Sequence, residues 1–212
     1  SADSMAERHF RAAWIPFANG FTQLVTYCFV SYLVLYIKDL LVLEIELANR
    51  DGLTKLLNRR AFLELGEAEV DRSRRYGHSI AVVFFDLDDF KRLNDTRGHK
   101  VGDQALQAVA TALRNELRST DHVARLGGDE FAVLLPELNF GAAKDAGDKI
   151  TRAVDRAMKK FPPVSVSVGI SWYEAAENEF STMLASADAL MYEIKREGKH
   201  GVRITRNSKL TN

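Results

Sequence analysis

The acids of this chain that could do chemistry gather where apolar stretches end. Asp86 and Asp88 close the run "AVVFF", and Asp129 and Glu130 follow Gly127 and Gly128 within "VARLGGDEFAVLL". An acid leaving a buried segment needs a proton, a partner or a cation. If the two segments are neighbours in one sheet, Asp86 and Asp129 converge on one rim. Hard oxygen ligands without His or Cys suit Mg2+ or Mn2+, with phosphate oxygens completing the shell. Gly127 and Gly128 strip the turn of side chains, permit positive φ and let backbone N–H groups approach an anion. Metal and phosphate are therefore expected at one tip. Beyond Asp86, "DLDDFKRLNDTRGHKVGDQAL" interleaves Lys91, Asn94, His99 and Asp103, a mixture of cation, amide and carboxylate suited to a nucleotide. An Asn beside an Asp offers the donor and acceptor pattern that reads guanine better than adenine. Each motif alone has a plainer reading, an ordinary solvated hairpin for one and a strand end meeting water for the other. Their conjunction carries the nucleotide reading. An EF-hand is excluded, because "DLDDFKRLNDTRG" lacks that loop's central glycine and its closing Glu.

These residues need a scaffold, and the periodicity supplies one. Asn58 is placed to cap a helix through "RRAFLELGEAEVDRSRRYG" that stops at Gly77, and "SIAVVFFDLDDF" has the length of a strand. A helix from about Val101 sets Ala105, Leu106, Val109 and Leu113 on one face; "DHVARLGGDEFAVLLPE" reads as strand, turn, strand. A helix from Ala143 to Met158 follows. "VSVSVGIS" alternates from Val164 to Ser171 as a strand with one wet face does, and Met183, Leu184, Ala187, Leu190, Met191 and Ile194 mark the inner stripe of a last helix. The mid-chain hairpin argues against a purely parallel sheet. An α+β layer of helices on a mixed or antiparallel sheet is expected.

The chain has 212 residues, with 29 Lys and Arg balancing 29 Asp and Glu, so disorder and nucleic-acid binding are poor readings. Its single cysteine, Cys28, excludes an intramolecular disulfide and a Cys-based zinc site. Between Arg11 and Lys38 lie 26 residues without a charged side chain, enough to cross a bilayer core that takes about 20. Pro16, Asn19, Gly20, Thr22, Gln23 and Thr26 dilute the first half of that stretch. Two readings of it stand open: a membrane span through residues 21–37, or a dimerising helix in which Leu33, Tyr36, Leu40, Leu43 and Leu47 recur at coiled-coil positions. The leading "SADS" is set aside as foreign to the fold. Residues 5–50 are read as the hydrophobic or signalling helix, 51–205 as the catalytic domain and 206–212 as a tail.

The blocks "DGLTKLLNRRAF", "DLDDFKRLNDTRGHKVGDQAL", "RLGGDEF", "VSVSVGIS" and "ADALMYEIKREGKHG" resemble, in order and spacing, those of the GGDEF family of bacterial diguanylate cyclases, over about Asp51 to Val202. The resemblance implies a mainly antiparallel five-stranded sheet wrapped by helices, related to the palm of nucleotidyl cyclases. It implies an enzyme condensing two GTP into cyclic di-GMP and two pyrophosphates across a homodimer, with two Mg2+ or Mn2+ ions per half-site. By the same resemblance Asp86, the carbonyl of Leu87 and Asp129 bind metal, Asp129 is the proton acceptor, and Glu130 is a further ligand or charge. Asn94 and Asp103 hold guanine, His99 lies along the cleft, Gly127 and Gly128 line the substrate, and Lys91, Lys195 and Lys199 meet the phosphates. Arg118 and Asp121 of "RSTD" match the family's RxxD product-inhibition pattern. The location implied is bacterial, with the catalytic domain cytoplasmic and tethered to the inner membrane.

Departures from the family pattern are specific. Gly52 replaces a proline and Lys55 a glycine in "DGLTKL", and "GKHG" stands for the usual "GRNR", so Lys199 offers a point charge where a guanidinium is common and His200 replaces an amide. His9 and His122 receive no role, and Trp14 and Trp172 are read as anchors of apolar surface or of a membrane interface. Two rival functions share the pattern: a non-catalytic cyclic di-GMP receptor, and a mononucleotide cyclase.

Overall fold

The computed structural model describes Ile15 to Ala176 and Asn178 to Asn207. The leading "SADS", His9 and Trp14 lie outside the described residues, as do the side chains of Leu43 and Leu47. The chain divides into two compact units, the first ending at Ala48 and the second beginning at Asn49.

The first unit consists of most of helix α1 (Ile15–Asn49). Its segment Phe17–Val42 is long and apolar enough to cross a membrane. Phe29, Val30, Leu33, Val34, Leu35, Tyr36 and Ile37 turn apolar side chains to every side of the helix, and all are exposed. A helix that is apolar all round needs an apolar surrounding, where one with a single stripe needs only a core. The hydroxyls of Thr22 and Thr26 donate to the carbonyls of Ala18 and Thr22, at 2.8 Å each, so neither depends on water. Cys28 is a free, exposed thiol on this helix.

The second unit is α+β. Its elements are α2 (Arg59–Tyr76), β1 (Ile80–Asp88), α3 (Phe90–Arg97), α4 (His99–Glu116), β2 (His122–Gly127), β3 (Glu130–Pro136), α5 (Phe140–Met158), β4 (Ser165–Tyr173), α6 (Phe180–Glu197) and β5 (Gly201–Asn207). The five-stranded sheet runs in the order β2-β3-β1-β4-β5. All its pairs are antiparallel except β4 with β5. Asn58 caps α2 by accepting from the amide of Ala61, and Gly77 ends it in the left-handed conformation, as the sequence indicates.

Strand β1 is central and buried on both faces, which explains its unbroken apolar run. Ala81, Val83, Phe85 and Leu87 face a core built with α4 and α5, while Ile80, Val82 and Phe84 face a second core built with α2 and α6. Asp86 and Asp88 continue the second series, so they emerge on the α6 side.

Three expectations are corrected. The helix expected from about Val101 is α4, which starts two residues earlier at His99, and a short helix that the periodicity did not show, α3, precedes it across Gly98 (φ 82°). The periodicity lists four strands; β5 is a fifth, because Val202 and Ile204 alternate with Arg203 and Thr205 at a sheet edge where one side stays half exposed. The alternation of "VSVSVGIS" does not mark a wet face, since Ser167 and Ser171 are as buried as Val166 and Val168. Ser171 donates to the carbonyl of Met183 at 2.8 Å, and a Cβ at Gly169 would overlap the backbone of Ala187 and Met191. The small residues are there to let α6 lie directly on the strand. Trp172 is a core residue, its indole N–H donating to the carbonyl of Leu138 at 2.6 Å.

Candidate functional site

Antiparallel pairing of β1 and β3 sets Asp86 opposite Glu130, and the amide of Leu87 donates to the carbonyl of Asp129 at 3.3 Å. The hairpin turn therefore folds back onto the end of β1. Gly128 has φ 52°, the positive value that a two-residue hairpin loop requires and that glycine adopts without steric cost. Arg125 braces the turn: Nε donates to the carbonyl of Gly128 at 2.9 Å, and Nη1 reaches both oxygens of Asp51, at 3.1 and 3.3 Å. Asp51 also accepts from the amide and hydroxyl of Thr54, at 2.8 and 2.6 Å. Burial pushes the Asp51 carboxyl up, but Thr54 and Arg125 outweigh it and hold the group below the usual carboxylate range.

An open cleft of about 450 Å³ lies at this rim, lined by Asp86, Leu87 and Asp129 with Lys91, Lys195 and Lys199. Asp88, Asp89, Phe90, Arg92 and Asp95 complete it. The side chain of Asp86 is only 13% exposed, and Lys195 Nζ stands 2.5 Å from its Oδ1. Lys195 follows Met191 by one turn of α6, on the face that covers Ile80, Val82 and Phe84. The contact is an ion pair outside hydrogen-bond geometry, so the buried Oδ1 keeps an unsatisfied acceptor. Burial raises the Asp86 carboxyl to about 6; Lys195 opposes the shift, and the charges of Asp129 and Asp88 add to it. A buried carboxylate held by a single lysine, beside a second acid, fits a hard divalent cation. Among the described residues no group of three or more His, Cys, Asp or Glu side chains is arranged to hold a metal. A cation here would take two carboxylates and a carbonyl, and draw its other ligands from water or a bound phosphate.

The remaining expected site residues lie outside this lining. Glu130 and Gly127 flank the turn, with Gly128 in it. His99 and Asp103 are exposed at the start of α4, and Asn94 projects from α3 with its carbonyl oxygen buried and unpartnered against Gly102. A side chain at position 102 would displace Asn94, so a glycine in the first turn of α4 was the signal for that contact. Arg118 and Asp121 line a separate hollow of about 150 Å³ between α4 and α5, and Asp121 Oδ2 accepts from the amide of Arg118 at 2.9 Å. His200 turns to Asp155 on α5, 3.7 Å away, and does not line the cleft.

Sequence reasoning left three positioning residues without a role. Arg125 and Asp51 fix the turn, as described. Asp88 is 1% exposed and accepts from the hydroxyls of Ser165 and Ser167, at 2.9 Å each, and from the amide of His200 at 3.2 Å. The serines of "VSVSVGIS" were the available signal, since a hydroxyl opposite an acid in a paired strand satisfies it.

The family model "Diguanylate cyclase, GGDEF domain" matches residues 48–201. The chain is 35% identical over 160 residues to the bifunctional diguanylate cyclase/cyclic di-GMP phosphodiesterase MucR of Pseudomonas aeruginosa, covering 74% of this chain and 23% of that protein. It is 38% identical over 153 residues to diguanylate cyclase DgcP of the same organism, covering 70% of this chain and 23% of that one. The chain thus spans about a quarter of these relatives' length. Among solved structures, the coiled coil and GGDEF domain of DgcB from Caulobacter crescentus, in complex with c-di-GMP, superposes with a TM-score of 0.78 at 26% identity, covering 85% of this chain and 98% of that one. Diguanylate cyclase SiaD of Pseudomonas aeruginosa, in complex with its activator SiaC, gives a TM-score of 0.68 at 31% identity, covering 96% and 80%. The rim acids, the braced glycine turn, Lys195 and Lys199 all fall within the matched segment, and the chain belongs to the diguanylate cyclase GGDEF family.

Proposed function

We propose that this chain is the catalytic portion of a diguanylate cyclase, condensing two GTP into cyclic di-GMP and two pyrophosphates. The observation that carries the reading is the convergence of Asp86 and Asp129 on one cleft with three lysines. Asp86, the carbonyl of Leu87 and Asp129 would hold two Mg2+ or Mn2+ ions, with Glu130 as a further ligand or charge. Such ions polarise the α-phosphate and neutralise the departing pyrophosphate. Lys91, Lys195 and Lys199 bind the phosphates, with Gly127 and Gly128 admitting the substrate close to the backbone. Asn94 and Asp103 hold the guanine edge, and His99 lies along its approach. The 3′-hydroxyl oxygen of one GTP attacks the α-phosphorus of the other, the bond to pyrophosphate breaks, and Asp129 accepts the hydroxyl proton. Repetition with the roles exchanged closes the ring, so two protomers must face each other, each contributing half a site. Arg118 and Asp121 bind the product and restrain turnover. Helix α1, apolar on all sides, anchors the protein in the bacterial inner membrane with the catalytic unit in the cytoplasm.

Incubation with GTP and Mg2+, followed by chromatography, should yield cyclic di-GMP. No dinucleotide at high protein concentration would replace this reading with that of a cyclic di-GMP receptor. A monomeric cyclic product would replace it with that of a mononucleotide cyclase. Recovery of the full chain in the soluble fraction after cell breakage would overturn the membrane anchor.

A further inference from the structure

The cleft carries a second ion pair that the proposed chemistry does not use. Asp89 Oδ1 lies 2.9 Å from Lys199 Nζ. Asp89 precedes α3, where an acid ordinarily accepts a hydrogen bond from the helix amides, and it makes none. Its carboxylate turns to Lys199 instead. Both residues are left-handed, with φ of 59° for Asp89 and 66° for Lys199, so each backbone is committed to an uncommon conformation that aims its side chain into the cleft. The turn beyond is fixed from behind by Asp88, which takes the amide of His200. Two consecutive acids thus grip two consecutive residues, Asp88 by the main chain and Asp89 by the side chain. The hydrogen bond to Asp89 raises the Lys199 ammonium above the usual lysine range and keeps it charged.

We infer that Asp89 is an internal stand-in for phosphate, holding the ammonium of Lys199 until a nucleoside triphosphate displaces it, and so acting as a built-in competitor that lowers the affinity for that substrate. The inference rests on the proposed GTP reading. The pair's exposure suits the role. The side chains of Asp89 and Lys199 are 36% and 43% exposed, so both ions rehydrate readily and the pair opens at little cost. The Asp86–Lys195 pair is more buried, 13% and 26% exposed, and cannot open so cheaply. Once phosphates enter, Asp89 is a like charge at their side, so its net effect on binding is unfavourable.

The test is the Kd of a non-hydrolysable GTP analogue with Mg2+, measured by calorimetry for the full chain and for the Asp89→Asn, Lys199→Met and doubly substituted variants. Asn tolerates the left-handed conformation, so the fold should persist. Asp89→Asn should tighten binding by about two- to five-fold, the range of an exposed ion pair, and the gain should shrink in high salt. In the Lys199→Met background the gain should vanish. Unchanged or weaker binding by Asp89→Asn overturns the inference, as does an equal gain without Lys199, which would make Asp89 a general charge and not a partner. If the unsubstituted chain binds no triphosphate, the GTP reading falls with it; if it binds and Asp89→Asn changes nothing, only this inference falls.

Discussion

The cleft at the end of β1 and the hollow beside Arg118 both carry cationic side chains, but they hold those cations differently. In the cleft, Lys195 and Lys199 are already paired with Asp86 and Asp89. Beside the hollow, Arg118 is exposed and makes no ion pair among the described residues, while the acid of its motif is spent on its own backbone amide. The sizes differ as well, about 450 Å³ against about 150 Å³. The smaller volume is below what a drug-sized ligand fills, roughly 300 Å³ or more, so the hollow has room for part of such a ligand and not for the whole. The contrast teaches that the lysines of the cleft are neutralised in pairs, so that a ligand bringing both signs suits it, whereas the hollow mixes Arg118 and Lys149 with Glu116, Asp121 and Asp145 and leaves the Arg118 guanidinium without an ion-pair partner among the described residues.

The strongest way to break this comparison is to neutralise the cleft acids. Asp129→Asn or Asp86→Asn should lower cyclic di-GMP formation by about 10³-fold with the circular dichroism spectrum retained, because each removes charge from the cation site. A variant within ten-fold of the parent would mean that the acids do not share a cation. Next in size, Arg118→Ala should raise the cyclic di-GMP concentration for half inhibition by roughly ten-fold or more, the cost of a lost charge-assisted hydrogen bond, each variant being scaled to its own initial rate. Unaltered inhibition would remove the hollow from product binding.

A third measurement sharpens the charge accounting. The folded Asp86 carboxyl sits at about 6, above its ordinary value of 3.8. A raised carboxyl contributes stability that is fully present below the unfolded value and is lost as pH rises through the folded one. The metal-free fold therefore carries the cost of an ionised Asp86 above about pH 6, and a bound cation relieves it. Mg2+ should accordingly raise the Tm more at pH 7.5 than at pH 5, and Asp86→Asn should abolish that difference. The smallest effect lies in the turn from Asp51 to Leu56. Lys55 adopts φ 60° where the family pattern has glycine, and Thr54 beside it accepts from Arg114 at 3.0 Å. Lys55→Gly should stabilise by about 0.5–1 kcal/mol, relieving the left-handed backbone against glycine's extra unfolded entropy, as thermal denaturation would read.

Much of this was legible in the primary structure because burial writes itself as composition. The run "AVVFF" has the length of a buried strand, and the acids at its end pointed to a rim; that it is the central strand emerged only with the sheet order. The alternation of β4 was harder: a serine that faces water and a serine that accommodates a close helix look alike until Gly169 is seen under α6. Asp88 and Asp89 were likewise indistinguishable as letters, yet one is a buried clasp and the other a half-exposed counter-ion, a difference set by strand pairing with Ser165 and Ser167. Lys195 on α6 and Lys199 in the turn after it entered the sequence reading only through family likeness, since their distance from β1 along the chain hides the cleft they share with it.

Arg125 touches two places that the chain visits more than seventy residues apart, Asp51 and the carbonyl of Gly128. A displacement of the Asp51 carboxylate is therefore felt at the glycine bend through one planar group. Force applied at the doorway of the domain and geometry at its working edge are mechanically a single quantity.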